Sequence, residues 1–139
     1  MRSTNNADEH RTKILVVEDA AIVRDPIAAS LRLAGYKTLS AANGSDGLQL
    51  LRHERPDLVL LDLAMPVMDG VAFLQHLRAD PILASTPVIV LSGTPEAETR
   101  LALANRGLTA QSVLVKNQFS LHVLLDRVAQ HIAKGSAAA

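Results

Sequence analysis

Five short apolar runs punctuate this chain, each too short for a helix and suited to a strand inside a protein. They are Ile14-Leu15-Val16-Val17, the weakly alternating stretch from Tyr36 to Ala41, Leu58-Val59-Leu60-Leu61, Pro87-Val88-Ile89-Val90-Leu91 and Ser112-Val113-Leu114-Val115. Between them the apolar spacing turns helical. Val23, Ile27 and Leu31 share one face between Ala20 and Ala34, and Gly35 supplies a stop signal. Pro26 falls past the first turn of that helix and removes one backbone hydrogen bond. A second helix with Leu48 and Leu51 inside runs to Arg55, and Ser45 is its predicted cap. Val71 to Arg78 makes a third, and a fourth starts at Pro95 and runs to about Arg106. The last follows a cap at Ser120 and carries the stripe Leu121, Leu124, Leu125, Val128 and Ile132. Strand and helix alternate five times, which predicts an α/β fold: a doubly wound parallel sheet with right-handed connections and helices on both faces.

Composition narrows the class further. A length of 139 residues fits one domain. Hydrophobic residues are 48% of the chain and aromatics only 2%, so aliphatic side chains must fill the core. The absence of cysteine excludes a disulfide framework and a thiolate metal site. Fourteen basic residues balance fourteen acidic ones, which argues against broad capture of nucleic acid or of an anionic membrane. No apolar stretch approaches the roughly 20 residues of a membrane span, and the start, MRSTNNADEHRTK, lacks the apolar segment of a signal peptide. The reading is a soluble cytoplasmic protein, with residues 1–12 as a loose lead, one domain at 13–134 and a flexible tail at 135–139.

The strands end in unusual places. The first ends at Glu18-Asp19, the third at Asp62, the fourth at Ser92 and the fifth at Lys116. In an open parallel sheet the carboxyl ends of the strands share one edge, and ligands bind there where strand order reverses. Three carboxylates brought together repel one another unless a positive charge sits among them. Oxygen ligands with room for water and phosphate describe a magnesium (Mg2+) site, and no histidine or cysteine lies at these strand ends to favour zinc or copper. An ammonium from Lys116, a hydroxyl from Ser92 and a carboxylate nucleophile beside such a cation suit a phosphoryl group.

Read in order, VVED (16–19), LLDLAMPVMDG (60–70), VIVLSG (88–93) and VLVK (113–116) make the chain resemble a response-regulator receiver domain of two-component signalling, CheY-like, over about residues 13 to 134. The resemblance implies a flavodoxin-like sheet of order 2-1-3-4-5 flanked by five helices. It implies Asp62 as phosphoacceptor, with magnesium held by Glu18, Asp19, Asp62 and the backbone carbonyl of Ala64. It implies Ser92 in the place of the switch hydroxyl and Lys116 as the lysine that contacts the phosphoryl group. The implied donor is a histidine kinase or a histidine phosphotransfer protein. The implied response is a shape change on the face of helix four, strand five and helix five, through which members also pair as weak homodimers. Such a module turns over no external substrate.

The resemblance has four departures. Asn117 follows Lys116 where the family has a proline in a cis peptide. A cis bond before a non-proline residue costs about 2.5 to 4 kcal/mol, so the Lys116–Asn117 peptide is expected to be trans. Val113 stands where a tyrosine or phenylalanine is common, and a valine cannot report by swinging a ring. Thr109 replaces a common glycine, and Glu18 stands where aspartate is frequent. The missing proline after Lys116 and the valine at 113 motivate an alternative, a pseudo-receiver that keeps the fold as an interaction module. An aspartyl phosphohydrolase of the haloacid-dehalogenase kind would carry a second aspartate two residues beyond the nucleophile, where Ala64 stands. A flavin-binding fold lacks the rings to sandwich its ligand. Taken alone, Asp19 can be a helix cap. The five histidines, His10, His53, His76, His122 and His131, read as surface residues.

Overall fold

The computed structural model describes residues 11–65 and 68–138, the last five for their backbone alone. Five strands alternate with five helices: β1 (Lys13–Val17), α1 (Ala21–Leu33), β2 (Lys37–Ala41), α2 (Gly44–Glu54), β3 (Leu58–Asp62), α3 (Gly70–Ala79), β4 (Val88–Ser92), α4 (Glu96–Ala104), β5 (Ser112–Val115) and α5 (Leu121–Ala138). All pairings are parallel and the order is β2-β1-β3-β4-β5, as expected. The order reverses between β1 and β3, whose carboxyl ends therefore open a crevice.

Strand residues alternate between two aliphatic cores. Ile14, Val16, Leu58, Leu60, Ile89, Leu91 and Leu114 meet Ile27 and Leu31 of α1 and Leu124 and Val128 of α5. Leu15, Val17, Val59, Leu61, Val88, Val90 and Val113 meet α2, α3 and α4 through Leu48, Leu51, Phe73, Leu77 and Leu103. The three central strands are buried on both sides, which is why they read as unbroken apolar runs.

Helix ends differ from expectation in instructive ways. Asn43, not Ser45, caps α2, its side chain accepting from the Asp46 amide at 2.8 Å. Asp69 caps α3 in the same way through the Ala72 amide. The N-cap of α1 is Ala20, without a side-chain hydrogen bond, so Asp19 is not a cap. Ser120 does cap α5, accepting from the Val123 amide at 3.2 Å. Pro26 stays inside α1 on its exposed side, where solvent can satisfy the carbonyl that its ring leaves unbonded. The backbone of α5 continues to Ala138, past the boundary expected at 134. Leu121, placed in the α5 stripe by its spacing, is 39% exposed. His131 is half-buried, 2.8 Å from Ser112 Oγ, and so is not a surface residue. Pro66 and Val67, part of the turn read after Asp62, lie outside the described residues. No helix among the described residues is long and apolar enough to cross a membrane.

At the opposite edge of the sheet, Arg78 joins two connections that sequence cannot place together. Its guanidinium donates to the carbonyls of Ala84 and Thr86 at 2.9 and 2.7 Å, and to Thr109 O and Gln111 Oε1 at 3.2 Å. Burial pulls its pKa down, and carbonyl acceptors compensate for the lost water. Removing the fork strands several carbonyls at once. Arg78→Met is expected to lower urea-unfolding stability by about 3 kcal/mol. Arg78→Lys should recover only part of that loss, because an ammonium has no planar fork.

Candidate functional site at the carboxyl edge of the sheet

Side-chain parity decides which residues meet at this edge. Glu18 continues the series Ile14-Val16, Asp62 continues Leu58-Leu60, and Lys116 follows Leu114; all three series belong to the α1–α5 side. The three side chains accordingly converge. Lys116 Nζ lies 3.1 Å from Asp62 Oδ1 and 3.3 Å from Glu18 Oε2. Asp62 and Glu18 are almost wholly buried, at 1% and 0% exposure. Asp62 Oδ1 also accepts from the Ala64 amide at 3.1 Å, and Glu18 Oε1 accepts from the Ala20 amide at 3.3 Å. Asp19 is exposed, yet its carboxylate and those of Glu18 and Asp62 can each place an oxygen within 4.8 Å of the others. Arg24 of α1, which periodicity did not single out, fixes the β1–α1 loop by donating to the carbonyls of Glu18 and Asp19 at 2.8 and 3.2 Å.

Among the described residues Asp62 Oδ2 is buried without a hydrogen-bond partner, and Glu18 Oε2, buried beside it, has only the ion-pair contact with Lys116 at 3.3 Å. Burial first, and then the adjoining Asp62 carboxylate through a shared proton and its charge, push the Glu18 carboxyl up to about 7 against the pull of Lys116. Burial also works against a charged Lys116, but its hydrogen bond to Asp62 and the charges of Asp62 and Glu18 outweigh it, so the ammonium is held more firmly than usual. The donor set, oxygen throughout, fits a hard divalent cation.

Two backbone features hold the site. The Lys116–Asn117 peptide is trans, as expected. Asn117 adopts φ 68°, and the Gln118 amide closes a turn onto Val115 O at 3.0 Å. Asparagine tolerates this left-handed position better than other residues with a Cβ, so a turn aims Lys116 where the family uses proline. In the α4–β5 connection the left-handed residue is Gly107, at φ 72°, which frees position 109 from needing glycine. The second feature is Gly70. A Cβ there would lie 2.3 Å from Asp62 O and 2.5 Å from Leu63 Cα, so only glycine lets α3 start this close behind Asp62.

Ser92 belongs to the other parity. It continues Val88-Val90 toward α4, and its hydrogen bonds among the described residues go to Thr94 and Thr99. Its link to the cluster is through the backbone, where Ser92 O accepts from the Lys116 amide at 2.7 Å. Val113 is buried in the α2–α3–α4 core beside Leu103 and Leu108, with no ring to swing.

Sheet order and an acid–amine pocket at the switch point define a flavodoxin-like α/β domain with a site fit for a hard cation. A profile of the response regulator receiver domain matches residues 14–129, and the chain belongs to that family. Transcriptional regulatory protein PrrA of Mycobacterium tuberculosis is 35% identical over 116 residues, covering 84% of this chain and 48% of PrrA. Protein PilH of Pseudomonas aeruginosa is 37% identical over 87 residues, 63% of this chain and 71% of PilH. The chain spans about half the length of the transcriptional regulators ycf27 of Porphyridium aerugineum and PrrA. Among solved structures, the chemotaxis response regulator CheY4 of Vibrio cholerae is similar with a TM-score of 0.79 at 29% identity, over 87% of this chain and 98% of that one.

Two measurements test this geometry. The folded chain holds the Glu18 proton more tightly than the unfolded chain, so the contribution to stability is complete below pH 4.5 and is lost as pH rises through about 7. Relative to Glu18→Gln, wild-type protein in chelator is expected to lose about 3 kcal/mol across that window, and magnesium should reverse the loss. At the turn, Asn117→Gly should leave thermal stability nearly unchanged, while Asn117→Val should cost about 1 to 2 kcal/mol.

Proposed function

We propose that Asp62 is a phosphoacceptor, and that the domain takes a phosphoryl group from a histidine kinase or a histidine phosphotransfer protein and thereby changes its affinity for a downstream partner. The observation that carries this reading is a buried Asp62 oxygen, Oδ2, left without a hydrogen bond beside a second buried acid, with a single ammonium 3.1 Å from Asp62 and 3.3 Å from Glu18. A purely structural ion pair would bury one acid against one base. Here one base faces two buried acids, at the edge where α/β sheets bind ligands.

Glu18, Asp19, Asp62 and the Ala64 carbonyl are the residues that would hold magnesium. Bound there, the ion supplies charge neutralisation for the peripheral phosphoryl oxygens. The chain's own groups do the rest. A carboxylate oxygen of Asp62 attacks phosphorus in line, forming the O–P bond as the N–P bond of the donor histidine breaks and its electron pair returns to the imidazole. Lys116 stabilises the negative charge of the transferred group. Hydrolysis of the aspartyl phosphate reverses the signal, so the domain acts on itself alone.

Beside Lys116 lies an open pocket of about 330 Å³ whose apolar wall includes Ile22, Pro26, Phe119 and Leu121. Ile22 is 86% exposed. A protein donor covering this rim would exclude water during transfer. The missing proline after Lys116 does not favour an inert pseudo-receiver, because the ammonium reaches Asp62 without it.

Incubation with acetyl phosphate and magnesium is expected to add the mass of one phosphoryl group, and Asp62→Asn should abolish the gain. Lys116→Ala should slow uptake at least about tenfold, the loss that follows removal of one transition-state charge partner. Absence of both uptake and magnesium binding in wild type would favour the interaction module.

A further inference from the structure

Three hydroxyls close a ring on the α4 side of the sheet. Ser92 Oγ lies 2.8 Å from Thr99 Oγ1 and 3.1 Å from Thr94 Oγ1, and the two threonine oxygens are 2.8 Å apart. Ser92 and Thr99 are buried, at 5% and 3% exposure. Thr99 Oγ1 also lies 3.0 Å from Pro95 O and 3.3 Å from Thr94 O, the carbonyls where α4 begins. The Thr94 amide donates to Ser92 Oγ at 3.1 Å.

Proton counting gives one consistent set of roles. Each hydroxyl has one hydrogen and two lone pairs. Between the hydroxyls either oxygen can donate, but Pro95 O and Thr94 O can only accept. The arrangement that uses a carbonyl contact has Thr99 giving its hydrogen there. Thr99 Oγ1 then has both lone pairs free, one facing Ser92 and the other facing Thr94. The Ser92 hydrogen completes the first of these contacts. In this arrangement Ser92 has no second hydrogen for any acceptor on the Asp62 side. Contact with an anionic oxygen there requires it to leave Thr99. A charge-assisted bond is roughly twice as strong as a neutral one, so the exchange favours the anion.

We propose that Thr99 is the latch of this domain: its hydroxyl holds the Ser92 hydrogen in the unphosphorylated form and loses it when Ser92 turns to a phosphoryl oxygen on Asp62, loosening the first turn of α4. The inference rests on Asp62 being phosphorylated. It assigns to a buried threonine of α4 the readout that Val113, an aliphatic residue without a polar atom, cannot give by ring rotation. Thr99 is a positioning residue that acts through Ser92 and touches no reacting atom. Nothing in its local sequence, PEAETRLA, distinguishes it from a solvent-facing helix residue.

The test is amide hydrogen exchange of α4, with and without acetyl phosphate and magnesium, on the full chain, with intact mass read in parallel. In wild type, exchange in the first turn of α4 should rise about fivefold with phosphoryl uptake, the factor expected for one net hydrogen bond. Thr99→Val should still take up the phosphoryl group, should show fast α4 exchange without it, and should show no further rise with it. Thr99→Ser, which keeps the hydroxyl, should restore the wild-type response and guards against a valine variant that folds poorly. A phosphoryl-dependent rise in Thr99→Val equal to that of wild type would overturn the latch. So would a wild-type α4 that does not respond although the mass shift is present. Absence of the mass shift in wild type would instead overturn the phosphoacceptor reading, and the latch with it.

Discussion

One ammonium lets two acids share the end of a buried sheet. Lys116 stands 3.1 Å from Asp62 and 3.3 Å from Glu18, and without it burial would drive this pair of nearly water-free carboxyl groups further toward holding a proton. A single cation cannot balance two anions, and the geometry preserves that shortfall. The remaining charge calls for a proton or a further cation, so acidity and cation binding are coupled in one pocket. The rest of the fold keeps that imbalance in place. Gly70 brings α3 close behind Asp62, Arg24 fixes the loop carrying Glu18 and Asp19, and the turn at Asn117 sends the lysine inward.

Much of this was legible in the amino-acid order, for a physical reason. Buried parallel strands need apolar side chains on both faces, so β1, β3 and β4 declare themselves as unbroken runs, and each charge at a run's end marks the sheet's carboxyl edge. Glu18, Asp62 and Lys116 could be assigned to one pocket because they end strands that share one edge of the sheet, and in the structure their parity points all three to the same side. The same parity, applied to Ser92, places it with Val88 and Val90 on the opposite side, a distinction that a motif match passes over.

What stayed illegible depends on contacts between distant segments or on competition between near-equals. Asn43 and Ser45 are both good caps, and backbone geometry rather than residue type selected Asn43. Arg78 reads as an ordinary residue of a helix's last turn, and only the folding of two connections beside it supplies its acceptors. His131 gave no sign of facing Ser112, since nineteen residues and a helix separate them. Asn117 was noticed for the proline it replaces, although its own capacity for a left-handed backbone was the informative property.

The division of the interior into two aliphatic compartments has a consequence for how such a domain handles information. The acids and the lysine hang from the compartment roofed by α1 and α5, while the serine and its threonine companions hang from the one roofed by α2, α3 and α4. The sheet between them is a single layer of backbone, and Ser92 O bonded to the Lys116 amide crosses it at the rim. Chemistry delivered to one storey is thus only one peptide away from the machinery of the other. A change made in the first can therefore reach the second through the rim alone, without disturbing the packed interior between them.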